Sequence, residues 1–495
     1  MGAYYTDAGV ARFLVRWALR SGLETIADPA FGGGVFLALA SEQIRRLGRQ
    51  ASRQVFGVEL DPGVYQQTAS WLAKEGLVSL DRLIQGDFFD VDPDSLRLDV
   101  VVGNPPFIRY QRFAGEKRAK ALERAALQGV TLSAKAGSWA AFVVHAVALL
   151  NPGGRMGLVV PAELCHAEYA KPVLEFLARS FEQVTLISFR QKLFPHLSQD
   201  TLLLLAEGRG RGDKRRTIPF GTGECPCTER TIPFGTGECP CTEVQVALLD
   251  LQSAAELESL PLSQLGARRL EIKNRLPFYW IPQAARELYE SLQKASVTFR
   301  LGQVARVGIG YVTGYNDFFH LSLAQVKQWN IPQAFLKPAV WRGGALEGLC
   351  FTKADWEKAV QKGKAGFLLH IPPKADLPPG VQAYLEHGQA LGVPQAYKCR
   401  VRQLWYSVPQ VRVPDGFLTY MSGQRPYLVA NQARMVAPNS LHTIELYGDI
   451  SAKALAALWQ TSLTQLSAEL EGHAMGGGML KLEPSEASRV VLARA

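Results

Sequence analysis

Over roughly the first 210 positions, short apolar runs alternate with longer amphipathic or helical stretches. Thr25-Ile26-Ala27, Gln54–Glu59, Arg82–Gly86 and Leu98–Val102 have the length and β-branched content of buried strands. An amphipathic helix is predicted between the first two, ending near Leu47. Ser138–Leu150 is apolar enough for a buried helix, and Asn151-Pro152-Gly153-Gly154 then turns into a strand over Arg155–Val160. A helix over Lys171–Ser180, a strand over Phe181–Phe189 and another over Thr201–Ala206 complete the pattern. The alternation predicts an α/β domain. Gly208 to Glu243 breaks it with Gly, Arg, Thr and Pro, and reads as an exposed, protruding connection. Val244–Leu260 returns to alternating and then helical patterning, and Leu276–Lys294 predicts a helix-rich connector. The last 200 or so residues differ in texture, with short strand-like stretches, many prolines, and Trp280, Trp341, Trp405 and Trp459.

The ends of the early strands carry the chemistry. Asp28-Pro29-Ala30-Phe31-Gly32-Gly33-Gly34 follows the first, where glycine lets backbone approach a ligand at a helix start. Glu59 ends the second, placed to hold both hydroxyls of a ribose. Asp87 follows the third as an acceptor for an adenine amino group, with Phe88 to pack near the ring. After the fourth come Gly103 and then Asn104-Pro105-Pro106-Phe107. An exocyclic amine on a nucleobase is a poor nucleophile, because its lone pair is delocalised into the ring. The Asn104 amide oxygen and the Pro105 carbonyl can each accept one of its N–H groups and draw the nitrogen towards tetrahedral geometry. The prolines restrict the backbone that presents that carbonyl. Phe107 offers a flat face on which an extruded base can stack.

Composition narrows the partners. Lys plus Arg number 54 against 45 acids, a net charge of +9 that is compatible with a polyanion. No run of about 18 apolar residues and no secretory signal is present, so a cytoplasmic protein is expected. Four of the seven cysteines, Cys225, Cys227, Cys239 and Cys241, sit in a 14-residue segment, 216–229, repeated identically at 230–243. One residue separates each pair, whereas structural zinc loops leave two to four, so no metal site is expected. A duplication in a tolerant loop is the simpler origin. The Pro-Cys order at Pro226-Cys227 and Pro240-Cys241 also occurs in cytosine-C5 methyltransferases, but here it lies away from any central strand end.

The order of glycine loop, Glu59, Asp87 and Asn-Pro-Pro-Phe resembles the S-adenosylmethionine-dependent amino-methyltransferases of DNA. More narrowly, it is similar to the gamma-class adenine-N6 enzymes of restriction–modification systems. Tyr4-Tyr5-Thr6-Asp7 resembles that family's Tyr-Thr-Pro opening, with Asp7 in place of proline. Phe31 and Gly33 stand where the family has cysteine and serine, and Phe107 replaces the commoner tyrosine. The resemblance implies that Thr6 touches the methionine carboxylate of S-adenosyl-L-methionine and Asp28 its amine. Gly32 and Gly34 would belong to the same cofactor site. It implies a second aromatic contact to the flipped base from Phe194, in Leu193-Phe194-Pro195. The Val307–Phe319 stretch resembles the opening of the family's target-recognition domains, and Gly476-Gly477-Gly478 its late glycine loop.

Two domains are therefore expected. A class I methyltransferase (Rossmann-like) catalytic domain would occupy 1–245, and a mixed α/β DNA target-recognition domain 246–495. The substrate would be double-stranded DNA, bound by a monomer, with a separate cognate restriction endonuclease as a further partner. Basic and aromatic residues interleave over Tyr397–Tyr406, which suits phosphate and base contacts, or else marks a core with a solvated face. Arg112, Lys117, Arg118, Lys120 and Arg124 would form a phosphate-meeting loop, or an exposed helix paired with Glu116 and Glu123. The competing function is a protein-glutamine or ribosomal-RNA N-methyltransferase of the same fold, since a planar amide nitrogen poses the same chemical problem. A degenerate DNA-binding relative and a fused nuclease explain fewer of these residues.

Overall fold

The computed structural model describes residues 6–108, 110–134, 136–194, 200–210, 245–265, 269–271, 275–346, 348–372, 374–423, 425–475 and 479–494. Tyr4, Tyr5, Pro195, Gly476–Gly478 and the duplicated segment with its four cysteines lie outside these. The chain forms two compact units, Met1–Pro282 and Gln283–Ala495.

The first unit is built on a nine-stranded sheet. Its strands are β1 (Ile26–Asp28), β2 (Val55–Glu59), β3 (Leu83–Gln85), β4 (Leu98–Gly103), β5 (Leu150–Pro161), β6 (Gln183–Phe189), β7 (Thr201–Glu207), β8 (Gln245–Leu251) and β9 (Arg269–Glu271). Their spatial order is 3-2-1-4-5-7-6-8-9. The first five strands pair in parallel, and β7 runs antiparallel between β5 and β6. Both faces of a central parallel strand must be covered, so β4 is apolar throughout except Asp99. Val101 belongs to the core on one face and Val100 and Val102 to the core on the other. Helix Ser138–Ala148, buried at every position, fills the first of these. The amphipathic helices Ala8–Ala18 and Val35–Arg46 contribute to the second.

The elements differ from expectation in three places. The Asn151–Gly154 turn is absorbed into β5, because Gly153 N–H donates to Arg209 O and Arg209 N–H donates back to Gly154 O. The first unit runs on past residue 245, since β8 pairs in parallel with β6 and carries β9 with it. The cations after the Asn104–Phe107 turn sit largely on helix Gly115–Leu127 and serve the fold. Arg118 donates to the carbonyls of Phe113, Ala134 and Ala136, Arg124 to Phe89 O, and Lys120 pairs with Asp90. Glu116 and Glu123 are not their partners in these bonds; Arg112 and Lys117 are exposed.

The second unit is mixed α/β. A five-stranded sheet joins Ala305–Ile309, Leu441–Leu446, Gly416–Thr419, Leu428–Asn431 and Cys350–Phe351, in that order. Beside it lies an aromatic core in which Phe318 stacks on Tyr384 at 4.6 Å and meets Trp405.

Candidate active site

The sheet reverses its winding between β1 and β4: the chain leaves β1 towards β2 and β3, and resumes at β4 towards β5. Ligands of open α/β sheets bind in the crevice beyond the carboxyl ends of such a pair. Asp28 ends β1, and Asn104 follows Gly103 at the end of β4. A Cβ on Gly103 would stand 2.7 Å from Asp28 Oδ1, so glycine is what lets the two strand ends sit this close.

Asp28 is 1% exposed and accepts the Ala30 N–H at 3.0 Å. Burial pushes its carboxyl up from 3.8 to about 7, against the lowering effect of that hydrogen bond, with the charge of Glu59 adding to the rise. The glycine loop closes over it in left-handed backbone: φ is +47° at Gly32 and +78° at Gly34, the N-cap of helix Val35–Arg46. Gly34 also has no room for a side chain, since a Cβ there would lie 2.8 Å from Thr68 Cγ2. Glu59 ties the loop to β2, accepting the Gly32 N–H at 3.0 Å and the Asp61 N–H at 2.8 Å. Thr68 donates to Gly32 O at 2.8 Å. Asp87 accepts the Phe89 N–H and so starts a short 3-10 turn. Phe88 turns inward on that turn. It is 5% exposed, 4.4 Å from the ring of Phe142 and 4.8 Å from that of His145, and packs in the core.

The Asn104–Phe107 turn is held from two sides. Thr6 Oγ1 accepts from Asn104 Nδ2 at 3.2 Å. The amide oxygen of Asn104 is buried and has no hydrogen-bond partner among the described residues. On the other side Ser138 clamps the backbone around Phe107. Its hydroxyl accepts the Ile108 N–H at 2.9 Å and donates to Pro106 O, and its own N–H donates to Ile108 O at 3.1 Å. Phe107 is half-buried against the cores of both sheet faces. Phe194 packs on one of those same cores. It lies in the connection from β6 to β7, and Thr201 of β7 pairs with Pro161 at the end of β5, so Phe194 stands at the same end of the sheet as Asn104.

Residues 1–217 match the family described as N-6 DNA Methylase, and residues 274–495 match the C-terminal domain of Type II methyltransferase M.Eco57I. The chain belongs to the adenine-N6 DNA methyltransferases. It is 21% identical to Type II methyltransferase M.AccI of Acinetobacter calcoaceticus, over 98% of this chain and 84% of that one. It is 23% identical to Type II methyltransferase M.XamI of Xanthomonas campestris pv. amaranthicola, over 99% and 84%. The solved structure of the Type IIL restriction-modification enzyme MmeI in complex with DNA superposes with a TM-score of 0.57 at 12% identity. It covers 98% of this chain, which spans 64% of MmeI, and shows the shared fold. Membership of a methyltransferase family implies use of S-adenosylmethionine. Among the described residues no helix is long and apolar enough to cross a membrane, and no cluster of metal ligands is present.

Residues around the crevice take supporting roles that the sequence did not give them. Asp7 caps helix Ala8–Ala18 by accepting from Gly9 and Val10 N–H. The Phe31 ring is buried 2.6 Å from where a Gly57 Cβ would be, so it packs beneath the loop on β2. Ser138 carried one signal, a small polar residue at the start of an apolar helical run. Thr68 carried none.

Proposed function

We propose that this chain transfers a methyl group from S-adenosylmethionine to N6 of an adenine turned out of a specific site in duplex DNA. Its biological role would be the modification enzyme of a restriction–modification system. The observation that carries this reading is the buried amide oxygen of Asn104, which no described residue hydrogen-bonds, with the amide nitrogen anchored on Thr6. An acceptor that the described protein groups leave available at the switch-point crevice is suited to an N–H donor that arrives with substrate.

The residues fit the cofactor. A carboxyl that burial holds near neutrality, Asp28, becomes a stable carboxylate once a cation such as the methionine amine sits against it. Glu59 lies at the end of β2, where the ribose of a nucleoside ligand sits in such folds. Asp87 remains the candidate for the adenine amino group. When bound, the cofactor supplies an electrophilic methyl on a positively charged sulfur. Asn104 Oδ1 and the Pro105 carbonyl accept the two N–H bonds of the target amine, freeing its lone pair. Phe107 supports one face of the base and Phe194 supplies the second aromatic contact. No strong base is needed beforehand, because the methylated cationic nitrogen loses its proton readily. In this account the enzyme works in the cytoplasm as a monomer on its site, beside a separate endonuclease.

The test is methyl transfer to duplex DNA by the full-length protein. Asn104→Ala should lower kcat about 10²–10³-fold and leave cofactor affinity unchanged. A 2-aminopurine at the target position should brighten on binding, as its stacking neighbours are lost. Transfer by the variant at more than about a tenth of the wild-type rate would refute the role given to Asn104.

A further inference from the structure

The second unit holds nearly all of the net charge. Its 283–495 segment has twenty-two Lys and Arg against fifteen acids, whereas 1–282 has thirty-two against thirty. Within it, residues 397–414 carry four cations and no acid. The structure divides those cations by task. Arg402 faces inward: its guanidinium donates to Thr313 O at 2.7 Å and Val312 O at 2.5 Å. Cys399 Sγ adds a weak bond to Thr313 O at 3.6 Å. Gly314, at φ +90°, lets the loop close, since a Cβ there would stand 2.9 Å from Lys398 Cβ and 3.0 Å from Cys399 Sγ. Two segments more than eighty residues apart are thereby locked into one surface.

The side chains left outside share a character. Tyr397 is 65% exposed, Val401 63% and Tyr315 39%, and Lys398 and Arg400 stand among them. Lys398 Nζ lies over the Tyr397 ring, 5.5 Å from its centroid. Leaving clustered aromatic and aliphatic surface in water forgoes free energy that covering it would recover. Cations interleaved with flat rings complement a polyanion that also offers apolar sugar and base edges, and the exposed Asp317 bounds the surface next to Asn316.

We infer that the surface formed by Val312–Asn316 and Tyr397–Val401 is a duplex-DNA contact face, with Lys398 and Arg400 on backbone phosphates and Tyr315 and Tyr397 against sugars or bases. Arg402 and Cys399 build the face and do not touch the DNA. This inference rests on the DNA-methyltransferase function and adds where the second unit meets its substrate.

The test compares full-length wild type with Lys398→Ala/Arg400→Ala, with Tyr397→Ala, and with Lys362→Ala/Lys364→Ala. The last is a pair of equal charge at exposed positions elsewhere in the unit. Binding to a short duplex carrying the methylated sequence is followed across salt concentrations, and cofactor affinity serves as the check on folding. Each lost phosphate contact should reduce the slope of log affinity against log salt by about 0.9. The first double variant should therefore lose about 1–2 in slope and bind at least tenfold more weakly near physiological salt. The control pair should change affinity less than about twofold, and Tyr397→Ala should weaken binding with the slope held. Equal effects from the two double variants, or an unchanged slope in the first, would overturn the face while wild-type methylation kept the enzyme's function intact. Loss of polyglutamate binding with DNA binding unchanged would assign the face to an acidic protein, and would also overturn it. Absence of DNA methylation by wild type would instead refute the function beneath the inference.

Discussion

Asp28→Asn should make the protein more stable and destroy its cofactor binding. Asp28 is 1% exposed and its carboxyl is pushed up from 3.8 to about 7, chiefly by burial. Between those values the folded state holds a proton that the unfolded state has released. Raising the pH therefore costs stability progressively from about 4 to 7, and the loss is complete above about 7. A rise of some three pKa units, at about 1.36 kcal/mol each, sets a ceiling of ~4 kcal/mol. Relaxation and water entry reduce that, so a gain of about 2–4 kcal/mol is expected for the neutral amide at pH 8. The amide retains an oxygen for the Ala30 N–H, so no backbone bond is lost. Thermal unfolding of the variant and wild type, without cofactor, should diverge from pH 4 to 7 and run parallel above. Calorimetry should show cofactor affinity at least 100-fold weaker in the variant. In wild type the affinity should rise about tenfold from pH 6 to 8, because binding a cation at Asp28 requires that its proton leave. If the Asp28→Asn variant gains no more stability over wild type at pH 8 than at pH 4.5, the burial argument is refuted. Unchanged cofactor affinity would remove Asp28 from the site.

Ser138→Ala removes both side-chain bonds that clamp Pro106 and Ile108. It should lower kcat about tenfold and diminish the 2-aminopurine signal while cofactor affinity stays constant; an unaltered signal would make Ser138 only a packing residue. Thr6→Val, close in volume, frees the Asn104 amide to rotate and should lower kcat about tenfold, with Thr6→Ser restoring it. A weakened cofactor affinity at constant kcat would instead return Thr6 to the methionine carboxylate. Glu59→Gln should weaken cofactor binding by roughly 1.5–3 kcal/mol, the worth of hydrogen bonds to a charged acceptor, and calorimetry that finds no change would contradict the ribose role.

The site was legible in the sequence to the extent that strand ends can be read from short apolar runs. Asp28, Glu59 and Asn104 fall at ends of β1, β2 and β4 because each run stops at a turn residue, and a parallel sheet gathers those ends on one edge. Side-chain direction beyond a strand end was not legible. Phe88 was expected near a bound ring, but the 3-10 turn capped by Asp87 rotates it into the core with Phe142. Partners distant in sequence were equally hidden. The Thr6–Asn104 bond spans 98 residues, and nothing local marks Arg402 as the support of Thr313 rather than a phosphate ligand. The end of the first unit was misplaced for the same reason. The alternation after Val244 announces a strand, but only its pairing with β6 assigns it to the first sheet. Conversely, the departures Asp7 and Phe31 from the family pattern proved locally sensible, one as a helix cap and one as buried packing.

In the proposed mechanism Asn104 activates an adenine amino group in DNA. Modified-base sequencing of DNA from cells producing wild type or Asn104→Ala tests it most directly. N6-methyladenine at one recurring sequence in the first, and none in the second, is the expected result. Methylation that persists in the variant, or DNA left unmodified by wild type while ribosomal RNA or a glutamine side chain gains the methyl group, would contradict it.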